Sequence, residues 1–94
     1  MPSFLFGTVA EDGSVGNAGS GDLSSSRIDT GVYHVRFNAA LSSIPAVVLT
    51  CHLDDNNTIA TMEIATDYFV VHSKQTGTTF DDTPFSFIAI ANDD

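Results

Sequence analysis

The side chains best suited to chemistry cluster late in the chain. There Lys74-Gln75-Thr76-Gly77-Thr78-Thr79-Phe80-Asp81-Asp82 joins two apolar runs. Sugar recognition needs planar hydrogen-bonding groups for the hydroxyls and an aromatic face for the pyranose C–H surface. Lys74, Gln75, Phe80, Asp81 and Asp82 supply both kinds, and tip loops on a rigid scaffold are where binding groups usually sit. The plainer reading is a solvated loop whose Phe80 plugs one end of the fold. A second polar tip, Asp54-Asp55-Asn56-Asn57, reads more simply as a turn chosen for its Asx chemistry. Calcium needs six to eight oxygens, which the two Asp pairs approach only if both loops share one end. No EF-hand spacing is present, and no metal site is expected.

His34 and Arg36 alternate with apolar residues in Tyr33-His34-Val35-Arg36-Phe37, so both belong on the polar face of one strand. They could contact a ligand there, or Arg36 could face Glu63 in an interface ion pair. His52 and His72 fall on other apolar runs. Enzymatic patterns are missing: the chain has no nucleophile elbow, no Gly-rich phosphate loop and no His-Glu-x-x-His. Adjacent acids such as Asp81-Asp82 are ordinarily solvated, and a glycosidase needs two carboxyls roughly 5 to 9.5 Å apart across a cleft. The single cysteine, Cys51, excludes an intrachain disulfide and a Cys-based zinc site. Its apolar setting after Val47-Val48-Leu49-Thr50 predicts a buried, inert thiol. The reading is a non-enzyme that needs no cofactor.

What must position these residues is a small acidic chain. Its 94 residues amount to one domain, residues 1–94. Surface scaling gives a folded area of about 5,200 Å², which buries roughly 64% of the unfolded surface, near the lower limit for folding alone. Only 16% of residues are charged against 43% apolar, so disorder is not expected. Three basic residues against twelve acidic ones leave a net charge of −9. That excludes nucleic acid and anionic membranes as partners, because no basic patch exists to meet phosphate. No apolar run is long enough to span a bilayer. Met1 to Val9 lacks the basic start and the length of a signal peptide, so export follows another route or the chain is a mature fragment.

Helical periodicity is absent, and short β-rich runs lie between turn signals. Leu5–Ala10 and Ser14–Ala18 form an expected hairpin about Glu11-Asp12-Gly13. A Gly/Ser-rich lead-in to residue 26 follows. Further strands are expected at Leu23–Ile28, Val32–Asn38, Ala46–Leu53, Ile59–Ala65, Tyr68–Ser73 and Pro84–Ala91, with Gln75–Thr83 as loop. The class is all-β, a six- to eight-stranded antiparallel sandwich. Val32–Asn38 separates Tyr33, Val35 and Phe37 cleanly from His34, Arg36 and Asn38. Elsewhere the second face is apolar too: Ala46 and Val48, Tyr68 and Val70, Ile88 and Ile90. One small sandwich has a single core, so these surplus faces predict an obligate homo-oligomer.

The order Tyr33-His34-Val35-Arg36-Phe37, Ile44-Pro45-Ala46-Val47-Val48-Leu49, Tyr68-Phe69-Val70-Val71 and Phe85-Ser86-Phe87-Ile88-Ala89-Ile90 resembles the H-type lectin domain. It is also similar to lectin-like modules that end phage tail fibres and bacterial surface proteins. The resemblance covers roughly residues 27–92. It implies a sandwich assembling as a trimer, extracellular or on a virion surface, that binds glycans near protomer boundaries. In that family an N-terminal Asp, a mid-strand Arg and an aromatic-His pair hold the sugar. Asp29 stands at the first position. Thr61-Met62-Glu63-Ile64 has no arginine, and the loop from Lys74 to Asp82 has no Trp or His. The expectation is a carbohydrate- or receptor-binding module whose contacts are Asp29, Arg36, Lys74, Gln75, Phe80, Asp81 and Asp82. The alternative is a structural trimerisation or capping module with no ligand.

Overall fold

Period-two alternation governs the chain. The computed structural model describes residues 2–17, 23–52, 57–75 and 79–92. Over these run β1 (Pro2–Val9), β2 (Val15–Asn17), β3 (Leu23–Asp29), β4 (Val32–Phe37), β5 (Ala46–Cys51), β6 (Asn57–Ile64), β7 (Tyr68–Gln75), β8 (Thr79–Phe80) and β9 (Phe85–Asn92). The first sheet has the order β2-β1-β9-β5 and the second β3-β4-β7-β6, with β8 also on β7. Every strand pairing is antiparallel. The all-β class is as expected, and the expected strands recur at their places.

Nine strands among the described residues exceed the six to eight expected. The unforeseen one is β8, inside the stretch read as loop. Its two residues are extended because Phe80 and Thr79 pair with Lys74 and Gln75, where β7 runs on past the end of β4. β5 stops at Cys51, short of the expected Leu53, which lies outside the described residues, as do Asp54, Asp55 and Asn56.

The inner faces meet in one core. Tyr33, Val35 and Phe37 of β4 and Phe69 and Val71 of β7 pack against Leu5 and Val9 of β1 and Phe85, Phe87 and Ala89 of β9. Aromatic rings lock the layers edge to face: Tyr33 on Phe85 at 5.4 Å and Phe69 on Phe87 at 5.1 Å between centroids. Cys51 is half-buried rather than buried, because β5 is an edge strand whose inward face is only partly covered. The outer faces differ: on the second sheet His34, Tyr68, Val70 and His72 are half-buried. On the first sheet Phe4, Phe6, Val48, Ile88 and Ile90 are exposed.

Candidate functional site

Turn chemistry builds one end of the sandwich. Asp29-Thr30-Gly31 closes the β3–β4 hairpin, with the Thr30 N–H donating to Asp29 Oδ1 at 2.8 Å. Gly31 holds a left-handed φ of 69°, and a Cβ there would lie 2.8 Å from the Asp81 nitrogen. Only glycine permits that approach. The Gly31 carbonyl accepts the Ser73 N–H at 2.7 Å, and the Ser73 carbonyl accepts the Asp81 N–H at 3.1 Å. The turn is thereby tied to β7 and to the segment after β8.

Asp82 completes the tie. Arg27 Nε donates to both its oxygens, at 3.0 and 2.9 Å, and the Gly31 N–H donates to Oδ1 at 2.7 Å. Burial pushes the Asp82 pKa up, but the Arg27 hydrogen bond and the Gly31 N–H together outweigh it and leave the carboxyl below its ordinary value. The same pair raises the Arg27 guanidinium. Beneath them Tyr33 donates its hydroxyl to the Glu11 carbonyl at 2.8 Å and accepts the Thr83 N–H at 3.2 Å.

Beside this latch lies an aromatic platform. Phe80 stands opposite Lys74 on the outer face of the second sheet and is 41% exposed. The Lys74 ammonium sits 4.9 Å from its ring centroid, a cation–π contact, and the His72 ring meets it edge to face at 5.2 Å. Phe80 therefore does not plug the sandwich end. Around the corner, Glu11, Asp12, Arg27, Asp81 and Asp82 line an open cleft of about 690 Å³. Four carboxylates against one committed guanidinium make it acidic. The Asp12 carboxyl is held below its ordinary value mainly by the Ser14 hydroxyl. Among the described residues no His, Cys, Asp and Glu cluster has metal-binding geometry.

The fold thus brings Asp29, Lys74, Phe80, Asp81 and Asp82 to one end, with Gln75 exposed at the end of β7. It does not bring Arg36 there. Arg36 pairs with Tyr68, six residues along β7 from Lys74, about 20 Å at the strand rise. Within the chain Glu63 accepts the Tyr68 hydroxyl at 2.7 Å, and the Tyr68 ring stacks on His34 at 4.9 Å. Sequence reasoning did not place Arg27 or His72 at this end. His72 carried a legible signal, since it shares parity with Lys74 on β7; Arg27 carried none, because its partner lies 55 residues away.

No protein-family model, characterised protein or solved structure matches the chain.

Proposed function

We propose that the chain is a non-catalytic glycan- or receptor-binding module, displayed outside cells or on a virion. The carrying observation is Phe80: a large exposed ring, flanked by the Lys74 ammonium and the His72 imidazole, fixed on strands rather than on a free loop. Such a platform offers a sugar's C–H face an apolar surface and its hydroxyls nearby polar groups. Gln75 pairs with Thr79 next to it, and Asp29 and Asp81 lie at the same end of the sandwich. Asp82 positions the site instead, because its oxygens are committed to Arg27 and Gly31. Copies acting together raise weak single-site affinity.

A broad glycan array tests the reading. The wild type gives discrete hits, and Phe80→Ala weakens them about tenfold, equivalent to about 1.4 kcal/mol. One observation favours the second reading, an assembly or capping module without a ligand: the apolar outer face of the first sheet. An array with no hits, from protein whose assembly is intact, decides for that second reading.

A further inference from the structure

The four strands of the first sheet, PSFLFGTV, VGN, AVVLTC and FSFIAIAN, contain no Asp, Glu, Lys, Arg or His. In a chain of net charge −9 this is a discrete uncharged surface. Register orders its outer side chains into rows across β1, β9 and β5: Phe4–Ile90–Ala46, Phe6–Ile88–Val48 and Thr8–Ser86–Thr50. Two rows are apolar and one is hydroxylated. Phe4 and Val48 are 58% and 61% exposed, and an apolar groove of about 440 Å³ runs between Phe4, Phe6, Ile88 and Ile90.

Within each apolar row size falls in one direction: phenylalanine on β1, isoleucine on β9, then alanine or valine on β5. A two-fold axis lying along β9 carries β1 of one copy over β5 of the other. Phe4 then faces Ala46, Phe6 faces Val48, and the isoleucines of β9 meet at the axis. Large side chains meet small ones, apolar rows meet apolar rows, and the hydroxyl rows meet each other. Isologous contacts require this kind of self-complementarity, and the strand directions stay within the roughly 30° of aligned sheet packing. We infer that the outer face of β1, β9 and β5 binds a second copy of this chain, face to face, about a two-fold axis along β9.

Area is consistent with that occupant. The five exposed apolar side chains present about 400 Å² per copy, the size of the largest apolar patch on a typical monomer and often a functional one. Two such faces with their Ala, Thr and Ser neighbours reach the roughly 1,000 Å² that a specific interface needs. Among the described residues one titratable side chain meets this face, His52, whose ring nitrogen lies 2.5 Å from the Ser86 hydroxyl in the hydroxyl row. The two apolar rows hold nothing for a partner selected by charge to read. The inference stands whether or not a glycan binds the other sheet.

Sedimentation velocity and native mass spectrometry at micromolar concentration test it. The expected mass is twice the 9.9 kDa of one chain; a mass of one or three chains overturns the inference. Ile88→Asp sets two carboxylates against each other at the axis and weakens the pair at least about 100-fold, with the β-sheet circular dichroism unchanged. Ser24→Asp, exposed on the other sheet, leaves the pair intact. A pair that survives Ile88→Asp refutes the surface. The orientation has its own check: Ala46→Phe weakens pairing, and adding Phe4→Ala restores it to within about threefold. Failure of that restoration overturns the two-fold register.

Discussion

Tyr33 joins the core to the site within one side chain. Its ring lies between the sheets against Phe85, while its hydroxyl reaches the Glu11 carbonyl and the Thr83 N–H. Burial disfavours the phenolate and pushes its pKa up to about 12. The folded value exceeds the unfolded one, near 10, so the resulting stability is fully present below pH 10. It is lost as pH rises through about 12. Tyr68→Phe leaves Tyr33 as the one remaining tyrosine, since the chain has two, and makes its ultraviolet titration readable. The expected midpoint is about 12 while circular dichroism still reports folded protein. A midpoint near 10 in folded protein is incompatible with a buried hydroxyl.

The β3–β4 hairpin and the segment between β8 and β9 are separate in sequence, and Asp82 joins them through Arg27 and Gly31. Its folded pKa lies below the ordinary carboxylate value of 3.8. The join therefore stabilises the fold above that value, and its contribution fades as pH falls further through the folded pKa. Asp82→Ala loses on the order of 1 kcal/mol near neutral pH, mainly at the Gly31 N–H, since solvent screens the Arg27 pair. Urea titrations from pH 6 to pH 2 should show the wild-type advantage shrinking below about pH 4. An advantage that persists at pH 2 would sink the latch. The elements it joins were legible to different degrees. Val32–Phe37 announced itself, because its faces alternate and pack as they alternate. β8 did not, because two residues become a strand only through pairing with Lys74 and Gln75. The site was legible in part for the same reason. Phe80 and Lys74 are close along one hairpin, whereas Arg36 pairs with Tyr68, far along β7 from Lys74, because parity gives the face of a strand but not the position along the sheet.

The whole molecule divides its chemistry between two sheets. Arg27, Arg36 and Lys74, the chain's three basic residues, all lie on the second sheet with His34 and His72. The first sheet carries neither acid nor base on its strands. One side suits contact with polar ligands and the other suits contact with itself. This division sets the sign of a salt effect. Two copies of net charge −9 repel over long range, while the face that joins them holds no ion pair for salt to weaken. Screening, with a Debye length shrinking from about 30 Å at 0.01 M to about 10 Å at 0.1 M, therefore removes repulsion and leaves the apolar attraction. Added sulfate strengthens that attraction further through exclusion from the protein surface. Self-association measured by sedimentation equilibrium should tighten several-fold between low and moderate sodium chloride, and tighten again in sodium sulfate. An interface built on Arg or Lys pairs would loosen instead, and loosening would place the contact on the second sheet.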